Sequence, residues 1–501
     1  MPSFKQKFSG FFRQFSTPSE SRNDDNASNR FIKKYLNGNE INKNAPVILH
    51  GRTPQEVPPQ PLGQISSYDV ISSLTGPHGG LMSVNQTEKQ ISASDSEINF
   101  IDNIDEECDN GRKMVSTSTI DMANTAEETS NSESKPNILK KLSKFYLLYL
   151  VVLNYIHCFD QSGNHLVAGV ENWNSQHTNA YGASCSLYEV HPITHRHTGD
   201  PIADCFAIVT RANSAIMVLA DGVNWGVKSR TAARSAVHGC VDYLNKKLFP
   251  TVKESPKNTT DVLLTLLRSF HAAHNMILQE EGTLTTLTAV VVLPSVVDNQ
   301  FVACCCNVGD SLGYVYSPKY GVRELTQGSH DIHRMRDMRD VMGALGPVDG
   351  QNPELSNLTL SITQVDLGDI VFITSDGVSD NLDPVVGHFT GLPSVEAYQR
   401  HKLSLLRTED LIRNGVSGKG PAVDTPKDLV TLLLDFVTRL TAAKRRILED
   451  IDIYADVNGK PLAQGEVRQK RKEVIRKMPL FGVPGKLDHA TVVAYKVSSS
   501  T

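Results

Sequence analysis

Residues 216–222 read Ile-Met-Val-Leu-Ala-Asp-Gly and residues 371–377 read Val-Phe-Ile-Thr-Ser-Asp-Gly. In each, a short apolar run of the kind that fills a buried strand ends abruptly in an aspartate followed by a glycine. The same pattern recurs elsewhere. Residues 302–308 run into Gly309-Asp310, and Asp488 stands immediately before the apolar run 490–497. Singly, Asp-Gly is a turn dipeptide and needs no other explanation. Strand order is not legible here. If these strand ends lie side by side, however, several carboxylates share one small volume, where their repulsion demands cations. An all-oxygen set without paired His or Cys suits Mg2+ or Mn2+ better than zinc.

Around these runs, residues 207–220, 284–293, 300–307, 312–316, 369–374 and 490–497 read as strands. Residues 229–244, 261–279 and 425–440 carry helical periodicity. Strand pairs separated by helix pairs predict a layered α+β domain over residues 180–499. Residues 330–350 and 385–420 read as loops, and 444–486 as a charged helical excursion.

The 501 residues are 40% hydrophobic and 21% charged, with a formal net charge of −5, which allows a full core and excludes a wholly disordered chain. A basic surplus is absent, so nucleic acid is not an expected partner. The eight cysteines form no CxxC pair, and Cys304, Cys305 and Cys306 are consecutive, reading as reduced, packed thiols of an intracellular protein.

Residues 21–179 are rich in Ser, Asn, Gln and Pro and read as mostly disordered. Within them, Asp102, Asp105, Glu106, Glu107 and Asp109 suit either a solvated linker or an acidic docking peptide. Residues 1–20 form an amphipathic segment, with Phe4, Phe8, Phe11, Phe12 and Phe15 at helical spacing among Lys5, Lys7 and Arg13. Peripheral membrane contact, a mitochondrial presequence and a helix packed on its own domain all fit it. Residues 145–159 are too short an apolar run to cross a bilayer, and Pro2 excludes N-myristoylation. The expected location is cytoplasmic, possible membrane association included, with mitochondria as the alternative.

Asp204, Ala220-Asp221-Gly222, Gly282-Thr283-Leu284-Thr285-Thr286-Leu287-Thr288-Ala289, Asn307-Val308-Gly309-Asp310-Ser311, residues 375–382 (Ser-Asp-Gly-Val-Ser-Asp-Asn-Leu) and Asp488-His489-Ala490-Thr491-Val492-Val493 follow one another in an order that resembles the metal-dependent PPM-type (type 2C) protein serine/threonine phosphatases, in an atypical animal branch. The resemblance covers residues 181–497. It implies a central antiparallel β-sandwich flanked by helices, with two Mg2+ or Mn2+ ions at one end and a weaker third. On this resemblance Asp221 bridges the ions and the Gly222 carbonyl binds one of them. Asp376 and Asp488 complete the first ion's site, Asp204 holds water at the second, and Asp310 with Asp376 holds the third. Asp380 reads as a helix cap beside the site. Two cations about 3.5–4 Å apart lower the pKa of a shared water and neutralise phosphoryl charge, so no covalent phosphoenzyme is needed. The implied partner is a phosphoprotein, and the chain is expected to be a monomer.

The chain departs from the family pattern at several places. Ala203-Asp204 stands for Glu-Asp, with Asp200 a candidate substitute. Gly199 stands where an Arg grips phosphate, with Arg196, Arg211, Arg230 and Arg234 as candidate replacements. Val223 replaces a His, a candidate general acid; His330 and His333 lie in a loop able to approach the site. Trp225, after Asn224, suits either a groove wall or core. Arg468, Lys470, Arg471, Lys472, Arg476 and Lys477 read as a solvated helix face or a docking surface for acidic lipid or phosphoprotein. The alternative function is a pseudophosphatase scaffold.

Overall fold

The computed structural model describes residues 35, 44–83, 166–250, 256–327, 343–388, 397–477 and 483–498. The chain divides into one unit of residues 1–104 with 166–501 and another of residues 105–165, the latter entirely outside the described residues. The segments 1–20, 101–109 and 145–159, and His330 and His333, also lie outside them.

The strands of the first unit are β1 (Leu49–Gly51), β2 (Ser72–Gly76), β3 (Ala180–Ser186), β4 (Cys205–Arg211), β5 (Ser214–Ala220), β6 (Leu287–Pro294), β7 (Gln300–Val308), β8 (Leu312–Ser317), β9 (Gly321–Glu324), β10 (Ala344–Asp349), β11 (Asn352–Glu354), β12 (Thr359–Asp366), β13 (Ile370–Thr374) and β14 (His489–Lys496). A seven-stranded sheet runs β1-β12-β7-β6-β5-β4-β2, a five-stranded sheet runs β3-β14-β13-β8-β9, and β10 pairs with β11. Pairing is antiparallel throughout both large sheets.

Side-chain alternation turns the two sheets into a sandwich. Along β5, Met217 and Leu219 enter the core between the sheets with Ile373, Val493 and Tyr495. Ile216, Val218 and Ala220 face α1 (Val227–Leu248) and α2 (Thr259–Gln279) instead. Both faces of β5 are therefore covered, which is why its sequence is apolar without alternation. The outer face of the second sheet, carrying Phe372, Val492 and Ala494, packs on α3 (Asp376–Leu382), α4 (Ala397–Asn414) and α5 (Pro426–Leu440). The result is an α+β architecture of helices, sheet, sheet and helices. Each fully buried Val or Leu in these layers contributes roughly 1.5–3 kcal/mol.

Local signals set the helix starts. Asn258 caps α2 by accepting from the Asp261 N–H, and Thr425 caps α5 by accepting from Asp428, with Pro426 at the first helical position. Cys304 and Cys306 face the helices and Cys305 the inter-sheet core. Burial pushes all three thiols above the usual cysteine range, so they are packing groups.

Several sequence expectations change. Residues 44–83, expected within the disordered region, supply β1 and β2 and bury Val57, Ile65, Leu74 and Leu81. Residues 207–220 are two strands joined by a turn at Ala212-Asn213, because Arg211 pairs with Ser214. The expected loop 385–420 contains α4, and β10 lies in the expected loop 330–350. The charged excursion holds α6 (Ala442–Leu448) and α7 (Gln464–Arg476). Among the described residues no helix is long and apolar enough to cross a membrane.

Candidate metal centre

The pairing of Cys205 with Ala220 at the shared end of β4 and β5 sets Asp204 and Asp221 opposite each other. In the facing sheet, β13 and β14 continue their ladder through the Ser375 N–H, which donates to the Thr491 carbonyl. Asp376 then opens α3. Gly377 allows this, because a Cβ there would lie 2.0 Å from the His489 carbonyl oxygen. Only glycine lets the helix start touch β14 and bring Asp376 beside Asp488. Gly222 has a similar role, since its Cβ would meet the Ser229 carbonyl oxygen at 2.5 Å. Asp310 follows Gly309 in the turn between β7 and β8, and is buried.

Asp204 is wholly buried. Its Oδ2 accepts hydrogen bonds from Ser375 Oγ at 2.9 Å and Thr491 Oγ1 at 2.6 Å. Its Oδ1 is buried with no hydrogen-bond partner. Burial pushes the Asp204 pKa up to about 6 against the pull of those hydroxyls, with Asp376 adding repulsion. Asp221 is held by its main chain: its N–H donates to Thr286 Oγ1 at 3.0 Å and its carbonyl accepts from Thr285 Oγ1 at 2.8 Å. Burial and the carboxyls of Asp204, Asp376, Asp488 and Asp310 all raise its pKa well above the carboxylate range. The Asp488 pKa is pushed up to about 8, by burial first and Asp376 next. The structure therefore brings Asp204, Asp376, Asp488 and Asp310 within electrostatic reach of Asp221.

The sequence reading missed the cation among them. Lys486 Nζ lies 2.6 Å from Asp376 Oδ2, 3.0 Å from Asp488 Oδ2 and 3.1 Å from Asp380 Oδ2. Asp380 is thus not a helix cap: it sits in the body of α3 and pairs with Lys486, while Ser375 holds the cap position. Burial opposes the ammonium's charge, yet Asp376, Asp488 and Asp380 hold its pKa well above the lysine range. Lys486 fell at the end of the charged helical excursion 444–486, among many other Lys and Arg residues, so spacing alone gave no signal. Ser375 and Thr491 were also missed as anchors of Asp204, although both lie inside quoted motifs.

His489 ties the site together. Its Nδ1 accepts from the Ala203 N–H at 3.2 Å, and its Nε2 faces the Gly199 carbonyl at 2.9 Å. Burial lowers its pKa to about 4, so it is a neutral strut. Tyr188 packs edge-on against it and donates from its hydroxyl to Asp488 Oδ1 at 3.3 Å. These rings fill the space beside Gly199, where a Cβ would meet Tyr188 Cδ2 at 2.2 Å. An Arg is excluded there by packing.

The candidate substitutes fare differently. Asp200 and Arg196 are exposed. Arg211 bonds Asn245 and lies over the Phe249 ring, and Arg234 donates to the carbonyls of Pro77 and His78, so both serve the fold. Arg230 is half-buried in the first turn of α1, and Trp225 is half-buried, with Nε1 lacking a hydrogen-bond partner. The basic cluster is not a uniformly solvated face: Arg471 is buried and pairs with Glu189.

As donors, these residues fit a hard divalent ion: carboxylates that repel one another, with a buried Asp204 oxygen that has no hydrogen-bond partner among them. They are not yet a closed cage. Among the described residues no group of three or more His, Cys, Asp or Glu side chains stands ready to hold a metal.

The family model for protein phosphatase 2C matches residues 193–407. The PP2C-like domain-containing protein CG9801 of Drosophila melanogaster is 34% identical over 99% of this chain and 96% of its own length. Among solved structures, the serine/threonine phosphatase PstP with two manganese ions overlaps with a TM-score of 0.31 at 15% identity, over 64% of this chain and 99% of that one. PppA of Pseudomonas aeruginosa overlaps at 0.32 and 13% identity, over 63% and 96%. Overlap this slight bears on neither the site nor its chemistry. Near full-length similarity to the Drosophila protein is decisive by itself, and the chain belongs to the protein phosphatase 2C-like family.

Proposed function

We propose that this chain is a Mg2+- or Mn2+-dependent hydrolase of phosphoserine and phosphothreonine in proteins. The observation that carries the reading is the gathering of Asp204, Asp221, Asp376 and Asp488 at one end of the sandwich, where burial first and the neighbouring carboxyls after it raise the pKa values of Asp204, Asp221 and Asp488 in spite of the Lys486 ammonium. Asp221, Asp376, Asp488 and the Gly222 carbonyl would hold two ions, and Asp310 with Asp376 a weaker third. When bound, such ions supply Lewis acidity toward phosphoryl oxygens and acidify water. Asp204, fixed through one oxygen by Ser375 and Thr491, offers its other oxygen to orient water in the cluster. No Arg stands at Gly199 to grip the phosphate, so substrate binding there is weaker than a bidentate clamp would give.

A second reading, a binding module without turnover, is favoured by Lys486 resting on the carboxylates. Hydrolysis of an aryl phosphate by purified protein separates the two. Under our reading turnover requires added Mn2+ or Mg2+, and Asp376→Asn removes it while the circular dichroism spectrum is unchanged. No metal-dependent turnover, with no metal binding, selects the binding module.

A further inference from the structure

We infer that Lys486 is a tethered cation occupying one ion position of the acidic cluster, so that a divalent ion must displace its ammonium to bind between Asp376 and Asp488. The inference rests on the metal-centre reading above and adds a control built into that site. Its basis is the seating of the residue. Nζ meets three carboxylate oxygens at 2.6–3.1 Å, a cation's position among anions.

The main chain fixes that position from several sides. The Lys486 N–H donates to Asn381 Oδ1 at 2.8 Å, and its carbonyl accepts from Asn381 Nδ2 at 3.0 Å. Asn381 is fully buried and also donates to the Gly377 carbonyl, so the segment carrying Lys486 is clamped to the helix that carries Asp376. Gly485, just before it, donates its N–H to the Val386 carbonyl and accepts from Lys444 Nζ at 3.2 Å. A lysine wandering over a surface would have none of these restraints.

Two consequences follow. Without metal, Lys486 relieves part of the carboxylate repulsion and keeps the site folded. With metal, its charge opposes the incoming ion, and the side chain must leave Asp376 and Asp488 before both can serve as ligands. Half-occupancy then needs a higher divalent-ion concentration than the same carboxylates would need without the ammonium.

Calorimetric titration of Mn2+ into the full chain and Lys486→Met, with thermal unfolding in EDTA and in Mn2+, tests this. Lys486→Met should bind Mn2+ about tenfold or more tightly than wild type, or take up one further ion. It should also melt lower than wild type in EDTA and recover when Mn2+ is added. If the variant does not fold without metal, Lys486→Gln purified in Mn2+ should retain more ion than wild type after desalting, read by electron paramagnetic resonance. Equal affinity and stoichiometry in wild type and variants overturns the tethered-cation inference and leaves the metal centre standing. Folded wild type and variants that all fail to bind Mn2+ overturn both.

Discussion

Ser375 Oγ donates to Asp204 Oδ2 across 2.9 Å, joining the end of β13 in one sheet to the start of β4 in the other. Both residues are fully buried. The contact makes the spacing between the two sheets at this end a property of the site as well as of the core. Thr491 reinforces it from β14.

Removing these hydroxyls should therefore act on the chemistry more than on the fold. Ser375→Ala combined with Thr491→Val is expected to raise the Asp204 pKa further and lower metal-dependent turnover at neutral pH by at least about tenfold. A hydrogen bond to a charged group is worth about 1.5–3 kcal/mol. The acidic limb of the pH–rate profile should move to higher pH, because both hydroxyls stabilise the ionised form. A profile that keeps its position would remove them from the account.

Metal-free stability should fall as pH rises from 6.5 to 8. Asp488 is raised to about 8 when folded, against an ordinary value of 3.8, so the folded state holds more protons in this window and loses stability as they leave. His489 works oppositely but lower down: its depressed value of about 4 means stability is lost only as pH falls below 6.5. Urea midpoints in EDTA across pH 6.5–8 check the sign. On the proposed reading Mn2+ binds the deprotonated carboxylates, and adding it should flatten or reverse the slope.

The folded unit should require residues 44–83. β2 pairs with β4, and Leu74 enters the core between the sheets. Leu74→Ala should cost about 2–5 kcal/mol in urea unfolding, and a chain starting at Tyr181 should fail to give cooperative unfolding. A stable chain from Tyr181 would return these strands to the status of a dispensable tail.

Arg471 should behave as core. It pairs with Glu189, which is fully buried. Arg471→Ala leaves that carboxylate without its ion-pair partner and should cost about 3–5 kcal/mol. Lys472→Ala, on the exposed side of the same helix, should cost little.

The strand-end aspartates were legible because chemistry and geometry coincide there: a run buried on both faces has to end in a turn, and Asp221, Asp376 and Asp310 sit at those ends beside glycines. The family order of the motifs was legible for the same reason. Other parts depend on tertiary context. Ser72-Ser73-Leu74-Thr75-Gly76 carries one large apolar side chain and becomes a strand only because β4 offers it an edge. The turn at Ala212-Asn213 was announced by Asn213, yet the apolar residues around it hid it. Lys486 was invisible because two of its three carboxylate partners are distant in sequence: Asp376 lies 110 residues away. Arg471 looked solvated among its basic neighbours until α7 turned it toward Glu189.

The central claim is that these aspartates gather divalent ions around a phosphoryl group. Calorimetric titration of Mn2+ into wild type and Asp221→Asn tests it most directly. Saturable binding in wild type that weakens by at least about tenfold in Asp221→Asn, with the fold retained, is the predicted result. Wild-type protein that is folded and takes up no Mn2+, or an Asp221→Asn variant that binds it equally well, would contradict the account.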